Sequence, residues 1–102
     1  MAASLLLCFM QGSVPASAAP RDVYLFSYFT GNGEDGLHLA SSEDGLGFTP
    51  LRGGRSFLTP TVGGKLMRDP SIVLGPDGIY HMVWTTGWWD RGIGIAHSKD
   101  LV

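Results

Sequence analysis

The sequence predicts an all-β protein built from repeated strand units, and three observations carry that prediction. Its 102 residues include fifteen glycines and six prolines, with only 16% charged residues, a composition suited to many tight turns. After residue 20 no run shows a 3.6-residue apolar period, so nothing there reads as an amphipathic helix. The third observation is an internal repeat. Tyr24 and Tyr80 lie 56 residues apart, and the offset continues without gaps.

At that offset Thr30 matches Thr86, Gly31 matches Gly87 and Gly36 matches Gly92. Ala40, Ser42 and Asp44 match Ala96, Ser98 and Asp100. Apolar positions follow, with Phe26 on Met82, Tyr28 on Trp84, Leu37 on Ile93 and Leu39 on Ile95. Each unit reads as strand, glycine-rich turn, strand, then a Ser-x-Asp turn whose side chains can bond local N–H groups. Antiparallel units of four short strands at this spacing fit the blades of a β-propeller. Blade one is expected over 22–52, an inter-blade linker over 53–66 and blade two over 67–102.

In the first unit, strands are predicted over 23–30 and 37–41, with a short last strand at 48–51. The second unit has an additional strand in front, 71–74, whose counterpart in the first would fall near Ser13. The counterpart of Phe48 would fall beyond Val102. By its own repeat the chain is therefore expected to be an incomplete propeller fragment, about two blades, needing missing C-terminal blades to complete the fold.

The first residues read differently. Leu5-Leu6-Leu7-Cys8-Phe9-Met10 is a short apolar run, and Ala16-Ser17-Ala18 has the small-x-small pattern before a signal-peptidase cut. Residues 1–18 are expected to be a signal peptide, and the product secreted or periplasmic. Cutting there removes Cys8, the only cysteine, and with it any disulfide or thiolate metal site. The net charge of −2 gives no reason to expect nucleic acid or an anionic membrane as partner.

The chemistry gathers on Arg68-Asp69-Pro70-Ser71 and the Gly75-Pro76-Asp77-Gly78 turn behind it. Pro70 lacks a backbone donor, fixes its own φ and biases Asp69 away from the helical region. Asp69 is thus expected on extended backbone at a strand mouth, as a candidate catalytic carboxylate. Arg68 could bind a sugar hydroxyl or hold Asp69 ionised by its charge. Trp88 and Trp89 lie in the following turn and could stack on the C–H faces of sugars, or simply pack. His81, on the strand after the Gly75–Gly78 turn, could reach the same place as Asp69, or be structural. No metal site is expected: His38, His81 and His97 lack ligand spacing, and Glu34-Asp35 offers too few oxygens for calcium.

Three stretches carry a resemblance. Arg68-Asp69-Pro70-Ser71-Ile72, then Pro76-Asp77-Gly78-Ile79-Tyr80-His81-Met82-Val83-Trp84, then Gly92-Ile93-Gly94-Ile95-Ala96 with Ser98 and Asp100, resemble glycoside hydrolase family 43. Ser42, Asp44, Gly45, Leu46 and Phe48 resemble that family's blade ending, with Phe where the family has Trp. The resemblance implies a five-bladed β-propeller that hydrolyses arabinan- or xylan-class polysaccharide by inversion, without a cofactor. One carboxylate activates water, a Glu protonates the leaving oxygen and a second Asp tunes that acid. Asp69 is the only match, as base, as tuning Asp, or as the stabiliser found in fructan-hydrolysing relatives. Glu34 and Glu43 match no family acid, so the fragment alone is expected to be inactive. Two other readings remain open: a non-catalytic carbohydrate-binding propeller, and a sialidase-like propeller, for which Arg68 and Arg91 form no arginine cluster.

Overall fold

The structure, a computed structural model, describes residues 22–101. The expected signal peptide lies outside the described residues. Among those described there is no α-helix; six strands form two three-stranded antiparallel sheets. The first sheet holds β1 (Tyr24–Tyr28), β2 (His38–Ser42) and β3 (Thr49–Pro50), paired in that order. The second holds β4 (Arg68–Leu74), β5 (Tyr80–Thr85) and β6 (Ile93–Ser98), again in chain order. Each sheet thus has three of a full blade's four strands: among the described residues the first has no counterpart of β4 and the second none of β3, as the repeat predicted. A 3₁₀ turn, Leu51–Gly54, takes over after Pro50 and cuts β3 to two residues.

The repeat in the sequence is a repeat in register. Tyr24 pairs with Ser42 and Tyr28 with His38; 56 residues on, Tyr80 pairs with Ser98 and Trp84 with Gly94. Both hairpins end in the same side-chain turn. Ser42 Oγ donates to Asp44 Oδ1 at 2.9 Å and accepts from the N–H of Gly45 at 2.8 Å. Ser98 Oγ donates to Asp100 Oδ1 at 3.3 Å and accepts from the N–H of Leu101 at 3.2 Å. Asp44 and Asp100 therefore close turns, as Ser and Asp do wherever they outcompete a strand for backbone donors.

One volume is shared differently in the two units. Tyr28 lies against His38, ring centroids 5.3 Å apart. Trp84 lies across Gly94, where a methyl group would collide with the indole. The larger indole needs the empty position opposite.

The core lies between the sheets. Residues alternate faces along a strand, so Leu37 and Leu39 face one way and His38 and Ala40 the other. Leu37, Leu39, Met67, Met82 and Trp84 are buried together, with Ile72, Ala96 and Phe57 packed on them. Face-to-face stacking of the two units is thus what removes their apolar side chains from water. Glycines let the backbones approach: Gly33 and Gly36 have φ of 90° and 102°, and a Cβ on either would strike the backbone of Met67 or Leu58. The N–H of Met67 donates to Gly33 O at 2.8 Å, fixing the start of β4 to the glycine turn of the first unit.

Candidate functional site

Asp69 is not on extended backbone. Its φ is 50°, in the left-handed region, and the pairing of β4 with β5 slips there, from Arg68 opposite Thr85 to Ser71 opposite Val83. Two residues of β4, Asp69 and Pro70, stand opposite the single residue Trp84 of β5, which makes a β-bulge. The bulge explains the departure: Pro70 has no donor to give the ladder, and looping it out leaves no pairing unmade. A non-glycine residue in this region costs about 1–2 kcal/mol. Arg52, Lys65 and Leu101 also have positive φ, and Asp tolerates this region better than most residues, so the left-handed backbone at Asp69 belongs to the bulge.

Two contacts hold the bulge. Pro70 is buried, and its carbonyl accepts from Ser27 Oγ at 2.7 Å. Asp69 itself is exposed, and among the described residues its carboxylate has no hydrogen-bond or ion-pair partner. The sequence suggested that Arg68 might serve Asp69, but its guanidinium is engaged elsewhere. Arg68 Nη1 donates to Asn32 Oδ1 at 2.5 Å, and its Cζ lies 4.3 Å over the Trp88 ring and 5.1 Å over Phe29. Arg68 is thus a bracket between the two sheets, stacked on one aromatic from each.

The loop that presents Trp88 is fixed by Asp90. Asp90 Oδ2 accepts from Thr86 Oγ1 at 2.5 Å and from the N–H of Gly64 at 2.7 Å. These two bonds, Thr86 first, hold the Asp90 carboxyl below the usual carboxylate range. In the first unit, Asp35 accepts from Thr30 Oγ1 at 3.1 Å and meets His38 Nε2 at 2.9 Å. Burial pushes Asp35 up, but the bonds to His38 and Thr30 outweigh it and leave it lowered. Glu34 Oε1 accepts from the N–H of Asn32, which shapes the turn that carries Asn32.

Arg68, Asp69 and Trp88 are therefore neighbours on one edge of the molecule, where β1 and β5 end and β4 begins. Trp89, one residue along, is almost wholly exposed. His81 does not join them. It pairs with Val73 near the far end of β4, roughly 16 Å along the strand from Arg68. There it meets Asp77 Oδ2 at 3.1 Å and lies 6.4 Å from the His97 ring. A cleft of about 230 Å³ opens at that end too, among Leu37, Phe57, Ile72, Tyr80 and His97, and none of Arg68, Asp69 or Trp88 lines it. Among the described residues, no three His, Cys, Asp or Glu side chains gather as a metal site.

A free carboxylate beside a stacked guanidinium and two exposed indoles suits a sugar: hydroxyls for the polar groups, C–H faces for the rings. A family model described as a probable glycosyl hydrolase domain, in the family 43-related group, matches residues 19–102. The chain belongs to this family. No curated protein and no solved structure matches it. At this edge of the glycosyl hydrolase domain stand Arg68, Asp69, Trp88 and Trp89, which the sequence reading singled out, and Phe29, Asn32, Ser27 and Asp90, which it did not. Phe29, Asn32 and Ser27 reach the site from the other unit. Asp90 has no acidic counterpart at the repeat offset, where Asp35 falls on Arg91, although Thr86 and Thr30 each donate to an acid in the turn that follows.

Proposed function

We propose that this glycosyl hydrolase domain acts on arabinan- or xylan-class polysaccharide by inversion, with Asp69 as the carboxylate that activates water. The observation that carries the reading is the bulge at β4, which leaves an exposed, unpartnered carboxylate one residue along the chain from the Arg68–Trp88 stack. A general base needs an accessible, ionised oxygen pair on backbone that does not yield. Arg68 and Asn32 offer polar contacts for sugar hydroxyls, and Trp88 and Trp89 offer stacking faces. The register repeat supports a β-propeller blade as the unit, in a five-bladed ring. An inverting acid would come from a further blade, about 6.5–9.5 Å from Asp69 to admit the water. Residues 1–18 would direct export, and deleting them should hold the product inside the cell.

The test is Asp69→Asn in a form carrying all its blades, assayed on aryl arabinofuranosides and xylosides. Turnover should fall by about 10²–10⁴-fold while binding persists. Near-normal turnover would remove Asp69 from the mechanism. A second reading is sugar binding without hydrolysis, favoured by the use of the Glu34 carboxylate within its own turn. Oligosaccharide binding by a form that never turns over any glycoside, lost on Trp88→Ala, would select it.

A further inference from the structure

Arg68 is held in place by contacts that leave most of its donors unspent. Its Cζ lies 4.3 Å from the centre of the Trp88 ring and 5.1 Å from that of Phe29, and neither contact consumes an N–H. A guanidinium carries five N–H donors in a rigid fork. One of them is used, from Nη1 to Asn32 Oδ1. The side chain is half-buried where the two units meet, and its partners come from both. Those partners are themselves fixed. The N–H of Asn32 donates to Glu34 Oε1 at 3.0 Å. The loop that carries Trp88 is tied down through Asp90, and a Cβ on Gly63, Gly64 or Gly87 would stand only 2.5–3.3 Å from Asp90 Oδ2.

Among the described residues no carboxylate pairs with this guanidinium, although Asp69 is the next residue in the chain; the ion pairs join His38 to Asp35 and His81 to Asp77. Nε and Nη2 make no hydrogen bond within the described residues, so that edge of the fork is whole. A fork held in one orientation with two adjacent donors open matches a planar, charged acceptor taken in two parallel bonds. A sugar hydroxyl offers a single uncharged oxygen and uses the fork poorly. We propose that Arg68 binds the carboxylate of an acidic sugar, a uronate unit of the polysaccharide. Asn32 and the two rings set the orientation of the fork, and the Nε–Nη2 edge takes the ligand. The proposal rests on the carbohydrate reading of this edge and narrows it to an acidic polymer, but it does not require Asp69 to be the base.

Calorimetry on the form used for the turnover assay tests it. The probes are a xylo-oligosaccharide bearing one glucuronic acid and the same molecule with that carboxyl reduced to an alcohol. The acidic probe should bind about 10-fold tighter or more at low salt, as for a hydrogen bond to a charged group. Raising the ionic strength should shrink the difference. Arg68→Gln should bring the two affinities together, and Arg68→Lys should keep only part of the gap. Equal affinity of the unmutated protein for both probes would overturn the proposal and leave the neutral-sugar reading standing. A preference that survives Arg68→Gln would also overturn it, as would a sulfated xylo-oligosaccharide bound as tightly as the uronate. Binding of neither probe would sink it together with the carbohydrate reading, whereas normal turnover by Asp69→Asn would leave it untouched. The comparison of probes on the unmutated protein, with its salt dependence, needs no variant to fold.

Discussion

The hydroxyl of Ser27 donates to the carbonyl of Pro70 at 2.7 Å, joining β1 to the bulge in β4 across 43 residues of chain. Ser27→Ala removes that donor and leaves a half-buried carbonyl without it. A loss of about 1 kcal/mol is expected in urea unfolding. If the bond also aims Asp69, kcat should fall with KM nearly constant, and Ser27→Thr should recover most of it.

Asp69→Gly separates strain from chemistry. Glycine adopts a φ of 50° freely, so the folded state is relieved, while the unfolded chain gains some freedom in return. The net expectation is a gain of up to about 1 kcal/mol in stability together with lost turnover. A destabilised variant would show that the left-handed geometry is held by the Asp side chain.

Trp88→Ala strips one face from Arg68 and one from any bound sugar. Affinity for oligosaccharide should drop about 10-fold, measured by calorimetry, with the fold retained. Arg68→Lys should do nearly as much, because an ammonium keeps the charge but loses the planar stack and the fixed bond to Asn32.

Acid should unfold the protein through its turn carboxylates. The N–H groups of Leu46 and Gly47, then Ser42, lower Asp44; Thr86 and Gly64 lower Asp90. A carboxylate lowered by folding adds stability that is complete above its unfolded value, about 3.9, and lost as pH falls through the folded one. The urea midpoint should therefore stay level at neutral pH and fall below about pH 4. Asp44→Asn should flatten part of that fall.

Gly94→Ala places a methyl group inside the Trp84 indole. A loss of about 1–3 kcal/mol is expected, as for overpacked cores. Adding Trp84→Ala should make the pair less damaging than the sum of the singles, which a double-mutant cycle in denaturant would read.

The repeat made the strands legible, because register followed the 56-residue offset from Tyr24 and Tyr80 onward. The Ser-x-Asp turns were legible because their bonds are local. The bulge was not. Pro70 disfavours the right-handed helix at Asp69, but the choice between extended and left-handed backbone was made by pairing to β5, which no local pattern records. Phe29 and Asn32 escaped for the same reason, since they meet Arg68 only after the two units stack. The sequence left His81 open between reaching the neighbourhood of Asp69 and a structural role, and antiparallel pairing sends it to the opposite end of β4.

Tyr28 opposite His38 and Trp84 opposite Gly94 have consequences for how this duplication could have diverged. A genetic crossover between the copies that exchanged one strand alone would set indole against imidazole, or phenol against nothing. The hairpin, carrying both partners, is therefore the smallest piece that can be exchanged between the two units without a clash or a gap at this position.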